Sequence, residues 1–152
     1  MTPLERPGHM DLALAEAHKA AERGEVPVGA AIVASDGRVV AVAGNRTREL
    51  NDPSAHAEML AIRAACAVLG SERLTGHDLY VTLEPCPMCA GVISNARIRR
   101  LYYAAADPKS GGVDHGPRVF SHATCHHVPD VYPGLGEAAA GALLKLFFAD
   151  RR

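Results

Sequence analysis

The stretch LYVTLEPCPMCAGVISNARIRRLYYAAAD, residues 79–107, decides the fold. With Asp78 ahead of it, its first part is a run of apolar and β-branched residues stopped at Pro85, which predicts a buried strand. Residues 86–98 read as a short helix and residues 99–107 as another strand. A strand, a helix and a strand in immediate succession make a crossover unit, and its two strands must run parallel. Working outward, AHAEMLAIRAACAVLG (55–70) is a strong helix. Its apolar stripe includes Met59, Ile62, Ala65, Cys66 and Leu69, and Gly70 ends it. Before it, NRTRELNDPSAH has no period and reads as a loop of functional length. PVGAAIVA, a turn at SDG and RVVAVAGN form a hairpin. From about Gly8 to Arg23, Met10, Leu12, Leu14, Ala17, Ala20 and Ala21 recur at near-helical spacing, with Gly24 as the C-cap. Residues 108–135 are rich in Gly, Pro and His and read as irregular, and GEAAAGALLKLFFADRR (136–152) is a closing helix. The order α-β-β-α-β-α-β-α implies helices on both faces of a mixed α/β sheet, expected as one domain over residues 1–152.

Composition agrees with that class. The chain has 152 residues, 48% hydrophobic and 22% charged, with a net charge of -1. That is enough to bury a core and too apolar for a disordered chain. No apolar run is long enough to span a bilayer, so no membrane partner is expected. MTPLERPGHMDLALAEAHK carries charges where a secretory signal needs an unbroken apolar run, so a cytoplasmic location is expected. There the four Cys stay reduced and are read first as metal or catalytic groups. Net neutrality argues against a generic nucleic-acid coat. The charge is nevertheless divided: eight basic and twelve acidic residues up to Glu84 give -4, and eight against five after it give +3. The positive part holds Arg97, Arg99, Arg100, Lys109, Arg118, Lys145, Arg151 and Arg152. A solvated face is the plain reading of such charges.

The chemistry concentrates in two places. His56-Ala57-Glu58 opens one helix, and Pro85-Cys86-Pro87-Met88-Cys89 opens another thirty positions later. Two thiolates and one imidazole suit Zn²⁺, and three protein ligands leave the fourth tetrahedral position open, as catalytic zinc requires. Helix N-termini favour thiolates, and two intervening residues let one turn present both sulfurs to one ion. Glu58, two residues from His56, can face the reacting water without ligating, which suits a proton carrier. Taken singly, Cys-x-x-Cys is equally a redox pair or half of a structural zinc site, and His-x-Glu is an ordinary capping turn. Jointly and in this order they match a known signature of zinc nucleobase deaminases. Cys66 reads as a buried core thiol, and neither it nor Cys125 has the spacing of a fourth ligand. His122, Cys125, His126 and His127 lack regular element starts to hold a second metal.

Beyond that signature the sequence resembles the bacterial tRNA-specific adenosine deaminases of the cytidine deaminase-like superfamily, from about Met10 to the final helix. The likeness runs through EVPVGA (25–30), GNR (44–46), DPSAHAE (52–58), LYVTLEPCPMCAG (79–91), RI (97–98), DPKSG (107–111) and LLKLFF (143–148). The resemblance implies a three-layer α/β/α sandwich with a mixed five-stranded sheet, a homodimer and one Zn²⁺ per subunit. It implies conversion of the wobble adenosine of a tRNA anticodon loop to inosine, with release of ammonia. By that resemblance His56, Cys86 and Cys89 are the metal ligands and Glu58 the proton shuttle. Asn45 and the backbone at Ala57 would contact the flipped nucleoside, and Val26, Pro27, Leu83 and Glu84 would line its pocket. Asp107 and Lys109 would stand beside neighbouring nucleotides, and Phe147, Phe148, Arg151 and Arg152 on the last helix would border the RNA. For Phe147 and Phe148, core or dimer packing is the other reading.

An RNA loop is a fitting substrate on physical grounds, since its bases are already unstacked and are extruded at low cost. Arg97, Arg99, Arg100, Lys109, Arg151 and Arg152 would form a basic strip beside it if the last helix folds back over the active edge of the sheet. Two alternatives keep part of this reading: a deaminase of a free guanine- or cytosine-type base or nucleoside, and a zinc-stabilised RNA-binding module without turnover.

Overall fold

A computed structural model describes residues 7–151. The elements are α1 (Pro7–Glu22), β1 (Gly29–Val33), β2 (Val39–Gly44), α2 (Ala57–Leu69), β3 (Asp78–Leu83), α3 (Pro87–Asn95), β4 (Arg100–Ala105), β5 (Asp130–Pro133) and α4 (Glu137–Ala149), with a 3₁₀ turn at Val119–Ser121. They build one five-stranded sheet in the order β2-β1-β3-β4-β5. β1 is antiparallel to β2 and to β3, while β3, β4 and β5 are mutually parallel. The mixed sheet anticipated from the hairpin and the crossover is therefore present.

Period-two alternation assigns each strand residue to a layer. Ala30 and Ile32 of β1, Leu79 and Val81 of β3, and Leu101 and Tyr103 of β4 pack with Ala57, Ala61, Ile62 and Ala65 of α2 and Ala90 and Ile93 of α3. Their neighbours Ala31, Val33, Tyr80, Tyr102 and Ala104 face Met10 and Ala13 of α1 and Ala140 of α4. β1, β3 and β4 are buried on both faces, which explains their continuous apolar runs. On the α1/α4 face Tyr80, Tyr102 and Tyr132 stack across three neighbouring strands, with ring centroids 4.4 and 4.9 Å apart. No helix among the described residues is long and apolar enough to cross a membrane.

Two expectations need correcting. The residues alone predict four strands, and the fifth, β5, lies inside the segment read as irregular. β5 is a four-residue edge strand with no buried position, so it lacks the apolar alternation that marks a strand. In α2, Met59 is only half-buried and Ala57, Glu58 and Ala61 take the inward face, while Cys66 is half-buried against the core rather than sealed in it.

The parallel register fixes where chemistry can occur. β3 and β4 pair from Asp78↔Arg100 to Leu83↔Ala105, so their carboxyl ends lie side by side. At that edge the starts of α2 and α3 meet, the usual ligand side of a sheet with parallel strands.

Candidate active site

His56 is the N-cap of α2 and Cys86 the N-cap of α3, both with extended backbone and without a side-chain capping bond. Their side chains turn instead toward each other. His56 Nδ1 lies 3.6 Å from Cys86 Sγ and 3.5 Å from Cys89 Sγ. Tetrahedral zinc with Zn–S of about 2.3 Å and Zn–N of about 2.0–2.1 Å demands N···S edges of about 3.6 Å. These two distances and the borderline-soft donor set therefore fit zinc. Among the described residues this is the one His/Cys/Asp/Glu group close enough to hold an ion. A hydrogen bond between the two thiols holds Cys86 down at about 4 and, with burial, pushes Cys89 up. The Cys86 sulfur in turn raises His56.

Glu58, in the first turn of α2, is buried, and burial pushes its carboxyl up to about 7. It opens with His56 and Cys86 onto a cavity of about 240 Å³. Val26 and Val28 ahead of β1, Asn45 and Thr47 after β2, and Leu83 and Glu84 at the end of β3 supply the walls, with Asp107 and Ser110 as the rim. A second cavity of about 550 Å³ shares Val26, Leu83, Asp107 and Ser110 with the first. It continues to Lys109 and, on α4, to Leu144 and Phe148.

Asn45 is buried, and its Oδ1 accepts the Ala57 N–H at 2.7 Å. That bond ties the end of β2 to the start of α2. It leaves the carboxamide NH₂ as the donor end of Asn45, and it engages the Ala57 N–H in the structure itself. Pro27 is buried and lines neither cavity. Glu84 borders the first cavity, but its carboxylate is turned into the 107–115 loop. Phe147 is buried with the Arg151 guanidinium 3.6 Å from its ring centroid, whereas Phe148 is half-exposed in the second cavity. The adjacent phenylalanines thus divide between packing and surface. Arg152 lies outside the described residues.

The expected basic strip does not converge. Arg97, Arg99 and Arg100 precede β4 or begin it, at the end of the sheet opposite the cavities. Arg99 is also engaged by buried Asp78 through two bonds of 2.9 and 2.8 Å. The His/Cys segment is occupied by structural bonds. Cys125 Sγ is 3.3 Å from Ser94 Oγ, and the His122 and His127 rings reach the Pro117 and Ile98 carbonyls.

Residue patterns missed several contributors. Thr47 and Ser110 line the first cavity from loops without a period. Two buried glutamates hold those loops. Glu25 accepts the Arg48 and Glu49 N–H groups at 3.1 and 2.8 Å, and Glu84 accepts those of Asp107, Val113, Asp114 and His115. In both, burial pushes the carboxyl up and the backbone donors outweigh it, so both titrate below the ordinary value. An acidic residue beside a strand looks solvent-facing in sequence, and its donors come from loops tens of residues away.

A sheet with a metal-competent His-Cys-Cys group and a buried glutamate at its carboxyl edge is the arrangement characteristic of the zinc deaminases of nucleobases. The chain belongs to the cytidine and deoxycytidylate deaminase zinc-binding family, whose model matches residues 5–105, and within it to the tRNA-specific adenosine deaminases. It is 62% identical to the tRNA-specific adenosine deaminase of Agrobacterium fabrum over 148 residues, covering 97% of each chain. A solved structure from work on A-to-I editing by tRNA:A34 deaminases at the wobble position superposes with a TM-score of 0.90 at 63% identity. That match covers 91% of this chain and 100% of the other. The Bacillus subtilis guanine deaminase structure is more distant in shape, with a TM-score of 0.65 at 42% identity over 67% of this chain and 65% of that one.

Proposed function

We propose that this chain, as one deaminase domain over residues 1–152, hydrolyses adenosine to inosine at the wobble position of a tRNA anticodon, releasing ammonia. The observation that carries the reading is the His56, Cys86 and Cys89 triangle, of which His56 and Cys86 line one cavity together with Glu58. Identity of 62% to a tRNA-specific adenosine deaminase supports the substrate class. The proposal includes one zinc per chain held by His56, Cys86 and Cys89, a homodimer, and action in the cytoplasm.

When bound, zinc supplies the Lewis acidity that makes water a nucleophile near neutral pH. The chain's own groups do the rest. Val26, Val28 and Leu83 give the flipped base apolar walls, and the NH₂ of Asn45, left over from its bond to Ala57, donates to the nucleoside. Glu58 takes the proton from the attacking water, delivers it to the ring nitrogen next to the reacting carbon, and assists departure of the amine as ammonia. Water oxygen replaces the exocyclic nitrogen, so one water is consumed for each ammonia. The adjoining cavity with Lys109 and Phe148 favours a polymer over a free base, because it offers a flanking nucleotide a charge and an aromatic face.

The test is inosine detection after incubation with an anticodon stem-loop bearing adenosine at the wobble position. Glu58→Ala should keep its metal and form no inosine; full activity in that variant removes Glu58 from the mechanism. Parallel measurement of ammonia from free guanine, cytosine and adenosine separates the proposal from a free-base deaminase. Ammonia from no substrate at all would leave the non-catalytic RNA-binding module.

A further inference from the structure

We infer that Glu84 is a positioning residue for this reaction: by anchoring the 107–115 loop, its buried carboxylate sets the cavity wall that Asp107 and Ser110 form. The inference rests on the proposed deaminase reading for its kinetic arm. Glu84 directly follows β3 and precedes the Pro85-Cys86-Pro87 turn. Its side chain is fully enclosed, and five donors converge on it. Oε1 accepts the Asp107 N–H at 3.0 Å and faces His115 Nδ1 at 2.8 Å. Oε2 accepts the N–H groups of Val113, Asp114 and His115 at 3.2, 2.9 and 3.1 Å. A single carboxylate thus holds both ends of the loop whose middle, Ser110, lines the cavity.

The backbone of the loop is seated without slack. A Cβ on Gly111 would come within 2.5 Å of the Glu84 carboxyl carbon, and one on Gly112 within 2.6 Å of Pro87 N. Gly112 N–H donates to the Pro85 carbonyl at 2.8 Å, and the Tyr103 hydroxyl donates to Asp114. These contacts connect the loop to the turn before α3 and to β4, and Asp107 closes the 107–111 turn by accepting the Ser110 and Gly111 N–H groups, while Glu84 gathers the amides at both ends of the loop. Released from Glu84, the loop keeps its attachment points at Pro85 and Tyr103 and its own 107–111 turn, and loses the bonds that fix where that turn presents Asp107 and Ser110. The consequence falls on substrate fit before it falls on the chemistry, which depends on Glu58 and the His-Cys-Cys group.

The experiment compares wild type with Glu84→Gln and His115→Ala, the second removing only the half-exposed ring. Amide hydrogen exchange without substrate should accelerate at least ~10-fold at Val113, Asp114 and His115 in Glu84→Gln while β3 and β4 stay protected. His115→Ala should accelerate the same amides by a smaller factor. On the stem-loop, KM should rise about 10-fold with kcat within about 3-fold, and metal content should match wild type. Exchange that rises equally across β3, β4 and the loop, or kcat lost at unchanged KM, overturns the inference. Should Glu84→Gln not fold, His115→Ala decides alone: exchange at Val113 and Asp114 that stays at the wild-type rate overturns the inference. If wild type forms no inosine, the deaminase reading fails, while the substrate-free exchange still tests the anchor.

Discussion

Glu58 in the first turn of α2 and Glu84 at the end of β3 border one cavity, and both are almost wholly removed from solvent. They differ in company. Burial acts on Glu58 with few donors to oppose it, and its carboxyl rises to about 7; burial acts on Glu84 too, but converging amides and the His115 ring bring it below the ordinary value. Enclosure alone therefore does not decide what a carboxylate does. The number of fixed donors aimed at it decides whether it can exchange a proton or serves as a permanent anion that organises backbone.

The sharpest way to break this comparison is to remove the proton carrier. Glu58→Ala should lower inosine formation by about 10²- to 10⁴-fold with the thermal midpoint little changed. A large loss of stability at retained activity would place Glu58 with the structural carboxylates. Chelation of the metal should abolish turnover reversibly, with zinc restoring it. Because the two cores that sandwich the sheet include neither Cys86 nor Cys89, far-ultraviolet circular dichroism should survive the chelator. Collapse of the secondary structure would instead mark a structural zinc site.

Smaller effects separate the loops from the chemistry. Among the described cations Lys109 is the one that lines either cavity, so a single phosphate contact on single-stranded RNA gives a slope of about -0.7 in log K against log salt. A slope of about -2.8, the value for four contacts, would return Arg97, Arg99 and Arg100 to the interface. Least in size is the anchor of the 46–51 loop. Glu25→Gln should cost about 1–3 kcal/mol at neutral pH. Glu25 titrates below its ordinary 4.5, so its contribution is complete above pH 4.5 and is lost as the pH falls through the lowered value. The stability gap between wild type and Glu25→Gln should be constant from about pH 7 to 5 and close in stronger acid. A gap that persists unchanged at pH 3 would refute the sign.

The helices, four of the strands and the His-x-Glu and Cys-x-x-Cys groups are legible because each writes its cause locally, as a period or a spacing. β5 is not, since an exposed four-residue edge strand has no apolar alternation. The basic strip fails for another reason. Arg97, Arg99 and Arg100 are close in sequence to Lys109, but a parallel strand lies between them and carries the two groups to opposite ends of the sheet. Nothing local in the sequence marks Asp78 and Glu25 as buried anchors, or tells that Glu84, expected to line the pocket, turns its carboxylate into a loop, because their partners Arg99, Arg48 and Asp107 lie more than twenty residues away. Phe147 and Phe148 are open to two readings; packing holds for Phe147, while Phe148 stands exposed on the second cavity.

The tyrosine stack has an optical consequence. The chain has no Trp and four Tyr, and three of these, Tyr80, Tyr102 and Tyr132, form the face-to-face column on one side of the sheet. The fourth, Tyr103, points to the other side and is bonded to Asp114 of the loop. Ultraviolet emission from this protein therefore has two natural sources, a coupled column that reports the integrity of the sheet and a single phenol that reports the loop. Replacing Tyr103 by Phe isolates the first signal, so both parts of the molecule can be followed without an added dye.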